Sequence, residues 1–160
     1  MKIKRLDENL IQHILSDYVG SVGTDVMKKY AHHKAVTTYD HCMNVVYASY
    51  WLTKKLRLRT DVKSLVVGAY LHDYYLYDCK HPESRGKFHN FRHPKVALAN
   101  AEDHYELNDK ERNIIESHMW PLTITKLPKS KEAVLISLAD KYCAIWELVL
   151  RHKKAKENHG

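Results

Sequence analysis

Apolar residues recur at helical spacing along most of the chain. Leu6, Leu10, Ile11, Ile14, Leu15 and Tyr18 share one face of a first helix over about residues 7–18, with Gly20 and Gly23 marking its stop. A shorter helix is predicted from about Thr24 to His32. From Thr38 to about Leu58, a stripe of His41, Val45, Ala48 and Leu52 runs into the basic segment Lys54 to Arg59, which suits the negative end of a helix. Thr60-Asp61 reads as the N-cap and first turn of a helix whose middle, Leu65 to Leu71, is apolar on nearly every side and therefore central. Cys79 to Arg92, with its Pro, Gly and Asn, reads as a loop. Pro94 opens a helix to about Tyr105, and Asn108 with Glu111 caps a segment carrying Ile114, Ile115, His118 and Met119 that Pro121 stops. Ser130 caps a last helix from about Lys131 to Leu150. No segment alternates convincingly as a strand, so the expected fold is all-α, a bundle of about seven helices.

Composition narrows the class. A chain of 160 residues is expected to form one domain spanning 1–160, with residues 151–160 as a polar, frayed tail. Ser64 to Leu71 is the longest uncharged apolar stretch, far short of the roughly 18 residues that span a bilayer, and the N-terminal residues lack the apolar core of a secretory signal. Cys42, Cys79 and Cys143 form no CxxC pair and leave an odd thiol, which fits packing roles in a reducing cytoplasm. A soluble, cytoplasmic protein is the expectation.

Twelve histidines are present, and where they fall decides what they mean. His13, His32, His33, His104, His152 and His159 lie on polar faces or near termini and are assigned to solvent. His41, by contrast, shares the stripe of Val45 and Ala48. Asp73 follows Ala69 and Tyr70 by four and three positions, His118 follows Ile114 and Ile115 in the same way, and Asp140 lies four after Ile136 and four before Ala144. A carboxylate buried without compensation costs several kcal/mol, so these aspartates call for a cation. A lone histidine on an apolar face is usually a hydrogen-bonded core residue; two aspartates accompanied by several histidines point instead to a metal.

In order, the pattern is His41, His72-Asp73, His93, His118 and Asp140, each on a different predicted helix or at its end. It resembles the HD-domain superfamily of metal-dependent phosphohydrolases, whose signature is His, His-Asp and a distant Asp, and its binuclear members, which add two histidines between. The likeness covers about residues 39–147. The strings around His72-Asp73, His89 to Pro94, His118 to Leu122 and Ala139-Asp140-Lys141 are also similar to a group of small bacterial HD-domain proteins. The resemblance implies that His41, His72, Asp73 and Asp140 hold one divalent ion, and that Asp73, His93 and His118 hold a second, with Asp73 bridging. Imidazole and carboxylate donors suit iron, manganese, zinc, cobalt or nickel better than calcium. Two such ions would supply a bridging hydroxide near neutral pH and stabilise an attacked phosphoryl group. Hydrolysis of a phosphomonoester or phosphodiester is therefore implied, with a small anionic phosphorylated substrate and a nucleotide as first choice.

One departure affects the substrate side. Many HD hydrolases follow His-Asp with a residue and then Gly-Lys, whereas Tyr75 and Leu76 stand in those places here. Arg92, Lys95 and Lys141, each beside a proposed ligand, are the candidates to supply the missing cation. The basic segment Cys79 to Arg92 is expected to cover the mouth, with Lys80, His81, Arg85, Lys87 and His89, and Trp120 is a candidate to stack on a base. Two other readings stay open: a di-iron oxygenase with the same ligand order, and a basic nucleic-acid-binding module drawn from the +7 charge and the runs Lys54 to Lys63 and Arg151 to Lys156. The last lacks any nucleic-acid-binding signature, so its runs read as solvated helix ends.

Overall fold

The computed structural model describes residues 4–33, 36–74 and 89–157. Within them the chain forms seven helices and one minimal hairpin: α1 (Arg5–Ile14), α2 (Val22–Lys29), β1 (Ala31–His33), β2 (Val36–Thr37), α3 (Thr38–Lys55), α4 (Val62–Leu71), α5 (His89–His104), α6 (Asp109–Ser117) and α7 (Lys131–Glu157). The all-α expectation holds. β1 and β2 pair antiparallel, a short ladder that the sequence pattern did not announce.

Helix starts are fixed by local chemistry. Thr37 and Asp40 form a reciprocal capping box at α3, with Asp40 N donating to Thr37 Oγ1 at 3.1 Å and Thr37 N donating to Asp40 Oδ2 at 3.3 Å. Asn108 and Glu111 repeat the device at α6 at 2.9 and 3.0 Å. Asp61 caps α4 through Ser64 N, and Ser130 caps α7 through Ala133 N. Each cap satisfies amide hydrogens that no helical carbonyl can reach.

α4 is the axis of the molecule. Every residue from Ser64 to Leu71 is buried, with α3, α6 and α7 packed around it and α1 and α5 adding smaller contacts. At Gly68 a side chain of α6 packs directly against the α4 backbone: a Cβ there would meet the side chain of Ile114 at 2.7 Å. Met27, Val45, Val46, Leu65, Ile114 and Ile136 bring α2, α3, α4, α6 and α7 into one core.

Several predicted boundaries move. α1 ends at Ile14 and residues 15–20 turn, with Gly20 in the left-handed region at φ +98°. Gly23 is not a stop but lies inside α2, where a Cβ would collide with the Tyr74 hydroxyl. α2 ends at Lys29 because the chain leaves for β1. α5 begins at His89, so Pro94 sits inside the helix and not at its start, at the cost of one backbone rung. α7 continues seven residues past the predicted end at Leu150, through Arg, Lys, Ala and Glu residues that favour helix. The described part of the expected tail is thus helical. Cys42 and Cys143 are buried free thiols, as the packing reading required, whereas Cys79 lies outside the described residues.

Candidate metal centre

Two histidines occupy the ends of two helices in the same way. His72 is the C-cap of α4 and His118 the C-cap of α6, both with helical backbone angles. The last carbonyls of a helix have no intrahelical amide to accept from. Here the imidazoles serve them: His72 Nδ1 donates to Ala69 O at 2.7 Å, and His118 Nδ1 donates to Ile115 O at 2.7 Å. These bonds fix both rings in the tautomer whose Nε2 carries a lone pair, and both Nε2 atoms face the same interior space. The negative ends of α4 and α6 converge there too, which favours a cation.

Asp73, two residues past the end of α4, is 3% exposed and faces histidines on both sides. Its Oδ1 lies 3.3 Å from His93 Nε2 and 3.4 Å from His118 Nε2, while Oδ2 lies 3.7 Å from His72 Nε2. His93 Nε2 and His118 Nε2 are 2.8 Å apart. His72 Nε2 makes no hydrogen bond although it is buried; carboxylate oxygens of Asp73 and Asp140 stand beyond bonding reach at 3.7 and 3.8 Å. A ring atom held in that position is one that a cation between it and the carboxylates would satisfy.

His41 enters from α3, fully buried. Its Nε2 is 3.1 Å from Asp140 Oδ1 and its Nδ1 is 3.0 Å from Glu147 Oε2, so the ring lies between two carboxylates of α7. Asn44, one turn on along α3, donates to Glu147 Oε1 at 3.0 Å and holds that carboxylate in place. Burial opposes a charge on His41, but the hydrogen bonds to Asp140 and Glu147 outweigh it and push its pKa up to about 10. Burial works the same way on His72, and the charge of Asp73 overrides it, leaving that pKa well above the usual histidine range. Asp140 stays well below the usual carboxylate range despite its burial, because His41 hydrogen-bonds to it. His118 goes the other way: burial, reinforced by His93, holds its pKa down to about 3, so it remains a neutral donor. Asp73, Asp140 and Glu147 therefore make a strongly anionic pocket that draws protons onto His41 and His72 where no ion takes their place.

The ligand atoms of His41, His72 and Asp140 all lie within 4.8 Å of one another, as do those of Asp73, His93 and His118. The second group is the set the resemblance implied for one ion; the first holds three of the four residues it implied for the other, with Asp73 falling in the second group. All six residues are buried, and they come from α3, the ends of α4 and α6, α5 and α7.

The HD domain family model matches residues 38–145, from the first residue of α3 to the middle of α7. The chain belongs to the HD-domain family. That places it in the superfamily of metal-dependent phosphohydrolases. Comparisons with curated proteins and with solved structures gave no match.

In this HD domain the donors fit divalent transition metals. Neutral imidazole and carboxylate oxygen form a borderline-hard set, and the ring nitrogens that would bind an ion once unprotonated are already aimed inward. Glu147 was not singled out from sequence, yet it completes a carboxylate–histidine arrangement behind His41. The available signal was its spacing of seven from Asp140, two helical turns along one face of α7.

The proposed cations fall in different places. Lys141 is half-buried, and its Nζ donates to His118 O at 2.9 Å, Ser137 O at 3.1 Å and Ser137 Oγ at 3.2 Å. Three acceptors use its three hydrogens, so this ammonium ties α7 to the end of α6. Arg92 and Lys95 are exposed on α5 beside His93. Lys95 lies about 200° around the helix from His93, and Arg92 about 100°. Trp120 is partly buried, with its carbonyl accepting from the Ser137 hydroxyl. Lys80, His81, Arg85 and Lys87, with Tyr75 and Leu76, lie outside the described residues, as does the side chain of His89. No helix among the described residues is long and apolar enough to cross a membrane.

Proposed function

We propose that this HD-domain protein is a phosphohydrolase using two divalent transition-metal ions to hydrolyse a phosphomonoester or phosphodiester, with a nucleotide as the favoured substrate. The observation that carries the reading is the split allegiance of Asp73, whose Oδ1 faces His93 and His118 while Oδ2 faces His72. One carboxylate serving both triads is the arrangement a pair of neighbouring ions requires. His41, His72 and Asp140 would hold the first ion with Asp73, and His93 and His118 the second with Asp73.

Bound ions in such a site supply a nucleophile from water near neutral pH and neutralise charge on a phosphoryl group. The chain's own contribution is orientation and polarity. Ala69 O and Ile115 O fix the tautomers of His72 and His118, and Glu147 fixes that of His41. Burial of all six residues keeps competing water away from the donors. Arg92 is the better placed of the two exposed cations to meet an anionic substrate, being nearer in angle to His93 than Lys95 is.

The test is phosphate release from simple phosphomonoesters, phosphodiesters and nucleotides, with manganese, cobalt, nickel, zinc or iron supplied in turn. Turnover by the wild type that Asp73→Asn abolishes is the expected result. Oxygen uptake by the iron-loaded protein without phosphate release would replace the reading with the oxygenase. Salt-sensitive nucleic-acid binding that survives Asp73→Ala, with no turnover, would replace it with a binding module.

A further inference from the structure

α7 presents two different faces. Its inner face carries Asp140 and Glu147 to the metal centre and Ala133, Ile136 and Cys143 to the core. On the outer face, every exposed residue from Val134 to Val149 is aliphatic or aromatic. Leu138, Tyr142, Ile145, Trp146 and Val149 are 51%, 62%, 62%, 52% and 44% exposed. A solvated helix face normally carries lysine, glutamate or similar residues, and a helix apolar all round is a covered one. Lys141 falls within this face near its edge, and it folds its ammonium back onto the carbonyls of His118 and Ser137.

The dimensions say what covers it. At about 100° per residue, the exposed residues fall within an arc of about 160° and follow one another along four turns. Leu138, Tyr142, Ile145 and Val149 have the 4-3-4 spacing of a seam that packs against a matching seam. The uncovered apolar surface amounts to roughly 700 Å², above the 300–600 Å² of the largest patch on a typical monomer and close to the ~800 Å² that each partner brings to a standard interface. With no charge on it, the seam offers nothing for a charged partner to pair with, whereas an identical seam related by a two-fold axis matches it residue for residue.

We propose that the outer face of α7 is an isologous dimer interface, occupied by α7 of a second copy of this chain. Apolar burial drives the association, since each copy carries a formal +7 charge that opposes it. Added salt screens that repulsion, so the dimer holds or tightens as ionic strength rises.

Sedimentation equilibrium of the full chain tests this, with Leu138→Glu and Ile145→Glu measured beside wild type. Both substitutions change exposed side chains, and unaltered helical content and metal content in the variants establish that the fold is kept. The expected result is twice the 18.8 kDa chain mass for wild type at micromolar concentration, with dissociation constants at least tenfold weaker in both variants. Wild type at the single-chain mass throughout, or a dimer indifferent to both substitutions, overturns the proposal. A monomeric chain that floats with vesicles of phosphatidylcholine and phosphatidylglycerol overturns it in favour of a lipid surface.

Discussion

Polar side chains on apolar faces made the candidate ligands legible one by one. His41 in the stripe of Val45 and Ala48, and Asp73 behind Ala69 and Tyr70, stand out because desolvation is tolerated only with a partner. Glu147 did not stand out, because a glutamate on a long helix reads as solvated until the ring it holds is known. Its role has a measurable consequence. An ion reaching His41 Nε2 must displace the proton shared there with Asp140, and with Glu147 accepting from Nδ1 the ring's pKa is pushed up to about 10, so ion affinity rises with pH and levels off only near that value. Glu147→Gln keeps the side chain's shape and removes its charge, so the ring binds both proton and ion less strongly. In that variant the plateau affinity is expected to fall about 10–100-fold, and to be reached at lower pH. Chelator-buffered titrations across pH check this; an unchanged plateau and pH dependence would show that Glu147 only fills space.

At the scale of elements, what depends on neighbours in sequence was readable and what depends on distant contacts was not. The capping residues Asn108 and Glu111 act within four positions, and α6 starts where they predict. The burial of α4 followed from its unbroken apolar run. Gly23 misled because its small size serves Tyr74, 51 positions away, and Pro94 misled because a helix can carry a proline in its interior at the loss of one backbone hydrogen bond. The hairpin of β1 and β2 left no alternation to see in so few residues. Gly68 offers a test of the same contrast. Alanine there improves helix propensity by up to ~1 kcal/mol, but its Cβ would press on Ile114 Cγ2 at 2.7 Å and Cδ1 at 2.8 Å in a fully buried contact. Overpacking of that kind costs about 1–3 kcal/mol, so Gly68→Ala is expected to lower stability by roughly 1 kcal/mol in urea denaturation. A stabilised variant would mean that the α4–α6 contact is looser than the side chains indicate.

For the whole molecule, helices far apart in the chain meet at one buried, anionic volume. The family match spans residues 38–145, the stretch that contains all six residues of the two groups. Ligand order was legible because it is a property of the chain. The split of Asp73 between two groups, the tautomers set by Ala69 O and Ile115 O, and the engagement of Lys141 became visible only in three dimensions. The central claim is that the six residues form two metal sites sharing Asp73. Elemental analysis of the purified and reconstituted protein, with His93→Ala and His118→Ala alongside wild type, tests it most directly. Close to two ions per chain, falling in both variants, is the result this account predicts; a single ion unaffected by either substitution, or no ion after reconstitution, would contradict it.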